Sequence, residues 1–148
     1  MANNRIGSDV SRKLVLLAED DSINRKVTLS LLERLGYRVD TAQNGVEVLH
    51  SLEYRPYDLV LMNIGMPLMD GFEATSQIRR LWKNELKIIA ITARVLPGIR
   101  KKCLSVGMDD CIEKPVKLEE LAKMLAKHSS KTSSVLRRPG WRAEACAH

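Results

Sequence analysis

Residues 58 to 75 read DLVLMNIGMPLMDGFEAT. Leu59 to Met62 form a short apolar run, as expected of a strand buried on both faces. Asn63 follows at its end. A loop with Gly65 and Pro67 comes next, and a helical pattern begins at Gly71. Chemistry at the end of such a strand usually calls for a carboxylate. Here the polar residue is an amide, so the question is what a site built around Asn63 does.

The flanking sequence repeats the same unit. KLVLLA (13–18), YRVDTA (37–42), YDLVLM (57–62), LKIIAI (86–91) and DCIEK (110–114) read as five strands. Between and after them lie helical patterns at 22–35, 44–55, 71–82, 97–107 and 117–128. In the first helix Ile23, Val27, Leu31, Leu32 and Leu35 recur at helical spacing, and Gly36 stops it. Pro97 suits the first turn of the fourth helix and Gly107 its end. On the last helix Leu118, Leu121, Ala122 and Leu125 share a face. Strands alternating with helices predict an α/β fold with a parallel, doubly wound sheet. Such sheets bind ligands beyond the C-terminal ends of their strands, where strand order reverses.

The bulk properties agree with one soluble domain. The 148 residues are 45% hydrophobic and 28% charged, an ordinary globular balance. No apolar run reaches the roughly 18 residues of a membrane span, and the N-terminus lacks a signal-peptide core. A cytoplasmic location is expected, without a membrane. Cys103, Cys111 and Cys146 are an odd set with no C-x-x-C, which argues against a disulfide framework or a zinc site. The net charge is +6, but residues 129–148 hold +3 of it and residues 1–12 hold +1. The 116 residues between are nearly balanced, so no basic face for nucleic acid is implied. Residues 1–12 read as an N-terminal extension, 13–128 as the domain, and the Ser-rich, basic 129–148 as a disordered tail. Trp141 in that tail is a candidate docking residue.

The fold rule selects which residues should meet. Glu19, Asp20 and Asp21 follow the first strand, Asn63 the third, Thr92 and Ala93 the fourth, Lys114 and Pro115 the fifth. Singly, each has an ordinary explanation, since acids cap helices and Lys-Pro makes turns. Jointly, two or three carboxylates, an amide, a hydroxyl and an ammonium form equipment for holding Mg²⁺ and a phosphoryl group. There is no glycine-rich phosphate loop of either common type. His50, His128 and His148 lie away from the strand ends, which removes a Ser-His-Asp hydrolase.

Taken together, LLAEDDSINRKV, DLVLMNIGMPLMDGFEAT, IIAITA and GMDDCIEKPVKLEEL resemble the response-regulator receiver domain of the CheY-like type, over about residues 12–128. The wording is closest to receivers of hybrid kinases and to stand-alone receivers. The resemblance implies a flavodoxin-like sheet of order 2-1-3-4-5 with five helices on both faces. It implies a phosphorelay signalling module rather than an enzyme. By resemblance, Asp20 holds Mg²⁺ directly and Glu19 through water, with Asn63 and the Gly65 carbonyl completing the metal set. Thr92 matches the switch hydroxyl and Lys114 the family's lysine, with Pro115 after a cis bond. Asn63 stands at the phosphoacceptor position. The implied partner is a histidine kinase or histidine phosphotransfer protein, docking at Ile23, Asn24 and Val27 of the first helix. A homodimer through the fourth helix, fifth strand and fifth helix is a second expected contact.

Two positions depart from the family. A carboxylate oxygen can attack phosphohistidine phosphorus, whereas an amide is a poor nucleophile, so Asn63 blocks phosphorylation. Losing that negative charge also forfeits attraction for Mg²⁺ on the order of 4 kcal/mol at contact, before solvent compensates. Cys111 occupies the aromatic switch position three residues before the lysine. Two origins fit Asn63, an engineered change in a competent receiver and a natural pseudo-receiver. The alternative function is a phosphorylation-independent interaction module. An aspartate-nucleophile phosphatase would need an aspartate where Asn63 stands.

Overall fold

The computed structural model describes residues 13–82 and 86–128. The expected N-terminal extension, the basic tail with Trp141, and Cys146 lie outside the described residues. Among the described residues, five strands and five helices alternate: β1 Leu14–Ala18, α1 Ser22–Arg34, β2 Arg38–Ala42, α2 Gly45–Tyr54, β3 Leu59–Asn63, α3 Gly71–Trp82, β4 Lys87–Thr92, α4 Pro97–Val106, β5 Asp110–Glu113 and α5 Leu118–His128. The strands are all parallel, in the order β2-β1-β3-β4-β5. The expected flavodoxin-like order is thus the observed one.

Side chains alternate across a strand, and here that alternation builds two cores. Leu16, Ala18, Val60, Met62, Ile88 and Ala90 face α2, α3 and α4, meeting Val48, Leu52, Ile78 and Cys103. Val15, Leu17, Leu59, Leu61, Ile89 and Ile91 face α1 and α5, meeting Leu32, Leu121 and Leu125. Burial on both faces explains why the inner strands are apolar without a break.

The apolar spacing of α1 misleads in one respect. Only Thr28 and Leu32 are buried in this helix, with Leu29, Leu31 and Leu35 packed partly against the sheet. Ile23 and Val27 are exposed, at 70% and 50%. They belong to the helix's outer surface and not to its core face.

The helix starts fix the loops that carry the polar residues. Asp21 caps α1 by accepting the Asn24 N–H at 2.8 Å. Asn44 caps α2 through the Glu47 N–H at 2.9 Å, and Asp70 accepts the Glu73 N–H at 2.8 Å. Each such cap satisfies a backbone donor that the first turn leaves open. Gly71 is required by proximity: a Cβ there would sit 2.6 Å from the Asn63 carbonyl oxygen. The Gly71 N–H instead donates to the Ile64 carbonyl at 2.8 Å, so the β3–α3 loop folds back on the strand end. Among the described residues no helix is long and apolar enough to cross a membrane.

Candidate functional site

The strand order reverses between β1, which leads to β2 on one side, and β3, which leads to β4 on the other. The β1–α1 and β3–α3 loops part there and leave a crevice. Glu19 and Asp20 enter it from β1, and Asn63 and Gly65 from β3. Glu19 is held in place twice: its N–H donates to the Ala42 carbonyl at 2.9 Å, and its carbonyl accepts Arg25 Nη1 at 2.9 Å.

One atom ties the crevice together. Asn63 Nδ2 lies 3.1 Å from Glu19 Oε2, 3.0 Å from Asp20 Oδ1 and 2.9 Å from the Gly65 carbonyl oxygen. All three partners are acceptors, so the amide must turn its nitrogen and not its oxygen toward them. Two N–H groups are shared among three oxygens. The positive end of a neutral dipole therefore sits at the focus of a hard, oxygen-only donor set.

Lys114 brings a full positive charge to these acids, with Nζ 3.5 Å from Glu19 Oε1. The lysine is fixed by its backbone, whose N–H donates to the Thr92 carbonyl at 2.8 Å, and the Lys114–Pro115 bond is cis. Glu19 is 2% exposed. Its burial pushes the carboxyl above the usual range, against the Asp21 N–H and the Lys114 charge, with Asp20 adding repulsion.

The remaining expected residues divide. Asp21 does not join the oxygen set. Its carboxylate turns back to cap α1, while its N–H donates to Glu19 Oε2 at 3.1 Å. The acids at the focus are thus two and not three, and among the described residues no group of three or more His, Cys, Asp or Glu side chains forms a metal cluster. The third oxygen is a backbone carbonyl. Thr92 is buried at the end of β4, and its hydroxyl donates to the Arg94 carbonyl at 3.2 Å and accepts the Arg94 N–H at 3.4 Å. Ile23, Asn24 and Val27 are exposed or half-exposed on α1, just after the acidic loop. Arg25 and Gly71 were not expected as positioning residues. A glycine opening a helix, where propensity disfavours it, is the signal that marks Gly71. Arg25 carries no comparable signal, since an arginine in a helix is ordinary.

The response regulator receiver domain family matches residues 15–126. The chain belongs to this family. It is a receiver domain of two-component signalling. It is 42% identical over 127 residues to hybrid signal transduction histidine kinase B of Dictyostelium discoideum, covering 77% of this chain and 6% of that protein. It is 43% identical over 119 residues to two-component system protein A of Emericella nidulans, covering 78% of this chain and 17% of the relative. This receiver domain therefore spans less than a fifth of either relative. Among solved structures it resembles the receiver domain of the sensor histidine kinase PA1611 from Pseudomonas aeruginosa, at 38% identity and a TM-score of 0.73 over 79% of this chain and 97% of that one. That structure has a magnesium ion coordinated in its active-site cleft. It also resembles the Saccharomyces cerevisiae complex of the histidine phosphotransfer protein Ypd1 with the receiver domain of Ssk1. There the identity is 27% and the TM-score 0.77, covering 83% of this chain and 92% of that one. Receiver domains pair with such partners.

Proposed function

We propose that this receiver domain belongs to a phosphorelay and that Asn63 blocks its acceptor position. The observation that carries the reading is the placement of Asn63 Nδ2 on Glu19, Asp20 and the Gly65 carbonyl. In a competent receiver the residue at this point presents a carboxylate oxygen to phosphorus. An amide there has a delocalised nitrogen lone pair and a weakly nucleophilic oxygen.

The donor set fits Mg²⁺, which takes hard oxygens. Asp20 would hold it directly, Glu19 through water, and Gly65 through its carbonyl. When bound, the ion neutralises charge on phosphoryl oxygens. Asn63 weakens that binding in two ways. It removes a negative charge, and its own N–H groups compete for the three oxygens. Lys114, already paired with Glu19, is the ammonium that would meet phosphoryl oxygens. Thr92 is the hydroxyl that would bond them once released from Arg94.

A histidine kinase or phosphotransfer protein would dock at Ile23, Asn24 and Val27. The exposure of Ile23 and Val27 beside the acidic loop supports this placement. The same exposure supports the second reading, a module that binds such a partner without being phosphorylated.

The test compares the protein with Asn63→Asp, each exposed to a small acyl phosphodonor with Mg²⁺ and weighed intact. One phosphoryl group is expected on Asn63→Asp alone. Uptake by both proteins would place the acceptor elsewhere and sink the blocked-receiver reading. Uptake by neither, with the fold intact, would leave the pure binding module.

A further inference from the structure

The signalling site leaves Cys103 and Cys111 without a role. Both are free thiols, and both belong to the core cluster in which α4 packs on β5. Arg100 and Cys103 are three residues apart in α4, so their side chains share a face of the helix. From that face Arg100 Nη1 donates to Cys111 Sγ at 3.4 Å. Cys103 therefore leaves α4 toward the strand that carries Cys111.

The two thiols differ in access. Cys111 lines a groove of about 370 Å³ over β5, with Val95, Arg100, Lys123 and Met124 on its walls. It is 6% exposed, while Cys103 is 0% exposed. Arg100 Nη1 stands against the Cys111 sulfur, where its N–H groups are in reach of the oxygen that leaves a hydroperoxide as sulfur attacks. Burial, then the nearby Cys111 sulfur, push the Cys103 thiol up, against the pull of Arg100. Cys111 is thus the thiol placed to meet an oxidant, and Cys103 the one behind it.

We propose that Cys111 and Cys103 are a peroxide-sensitive dithiol that closes to a disulfide between β5 and α4. In the first step the Cys111 thiolate attacks one oxygen of the hydroperoxide. The O–O bond breaks, sulfur keeps one oxygen as a sulfenic acid, and the other oxygen leaves and is protonated to water. In the second step the Cys103 sulfur attacks the Cys111 sulfur. An S–S bond forms, the S–O bond breaks, and the hydroxyl leaves with the Cys103 proton as water. Two thiols lose two hydrogens and one hydrogen peroxide becomes two waters. A thiol reductant reverses the change.

The experiment uses the full chain carrying Cys146→Ser. It is treated with hydrogen peroxide, denatured, and its thiols counted by alkylation before and after a thiol reductant. This count is blind to methionine oxidation. Both thiols are expected to disappear together and to return on reduction. Cys103→Ser, or Cys103→Ala if the first folds poorly by circular dichroism, should hold a sulfenic acid on Cys111 that a 1,3-dione traps. In Cys111→Ser, Cys103 should stay reduced under the same exposure. Arg100→Gln should slow thiol loss about threefold. The proposal is overturned by two thiols that survive in the folded protein. It is equally overturned by bridging between chains, by Cys103 reacting in Cys111→Ser at the parent rate, or by an unchanged rate in Arg100→Gln.

Discussion

At its start, β5 places the Asp110 carboxylate among the nitrogens of His128, Lys127 and Arg100. His128 Nε2 lies at 2.9 Å, Lys127 Nζ at 3.2 Å and Arg100 Nη1 at 3.4 Å. Just past its end, Lys114 pairs with Glu19, and the Asn63 amide bridges Glu19 and Asp20. Burial raises a carboxyl in both places, but the outcomes are opposite. At Asp110 the bonds from His128, the Cys111 N–H and Lys127 outweigh burial and hold the carboxyl at about 2. At Glu19 burial wins. One cluster is electrostatically complete and ties α5 and α4 to the sheet. The other is short of positive charge, in keeping with the Mg²⁺ site proposed for it.

Of the effects on the two clusters, the largest comes from breaking the complete one. Asp110 is held at about 2, against an unfolded value of about 3.9. A carboxyl depressed in the folded state stabilises it above the unfolded value, and that stability fades as pH falls through the folded one. The stake at neutral pH is about 2 kcal/mol. Asp110→Asn should lose about that much in urea unfolding at pH 7, and the two proteins should converge as pH falls from about 4 toward 2. Curves that stay parallel across that range would show that the cluster contributes nothing through charge.

The next effect completes the other cluster. If a third of the lost attraction survives solvent, Asn63→Asp should bind Mg²⁺ about tenfold more tightly than the parent. Titration calorimetry at fixed ionic strength reads this directly. Equal affinities would mean that the amide costs the metal nothing, and the reading of Nδ2 as a competitor for the three oxygens would fail.

Asp21 sharpens the contrast, because it is an acid beside the site that serves the helix. Asp21→Ala should cost about 1 kcal/mol of stability as a lost cap. In the Asn63→Asp background it should weaken Mg²⁺ by less than about threefold, while Asp20→Asn should weaken it by about tenfold or more. If the two substitutions weaken Mg²⁺ equally, Asp21 is a ligand and its capping bond is secondary.

The sequence carried the ten elements because unbroken apolar runs mark the inner strands and a 3.6-residue spacing marks the helices. Runs such as LVLLA and LVLM, buried on two faces, have nowhere to put polar residues. The gathering of Glu19, Asp20, Asn63 and Lys114 followed from the fold, since parallel strands bring all their C-terminal ends to one edge. What the pattern did not carry was direction within the cluster. Asp20 and Asp21 are adjacent and alike, and only the backbone turn decides that one faces the crevice and the other the helix. The turn of the Asn63 amide depends on acceptors 44, 43 and 2 residues away, which no local pattern encodes. The split of α1 was hidden for a related reason. Ile23 and Val27 keep helical spacing with Leu31 and Leu35, so hydrophobicity alone does not say which of them the sheet covers.

That split yields the smallest effect, and it bears on the partner. A residue that is 70% exposed has little burial to lose, and surface substitutions of this kind stay within about 0.5 kcal/mol. Ile23→Ser should therefore leave the urea midpoint nearly unchanged. Leu32, fully buried one face away, should lose about 2 to 5 kcal/mol as Leu32→Ala. An exposed isoleucine that contributes nothing to the stability of the free domain is open to the docking partner proposed for it. If instead Ile23→Ser destabilises by more than about 1 kcal/mol, the residue packs against the chain itself. The first turn of α1 would then be part of the core, and its claim to a phosphotransfer partner would lose its physical basis.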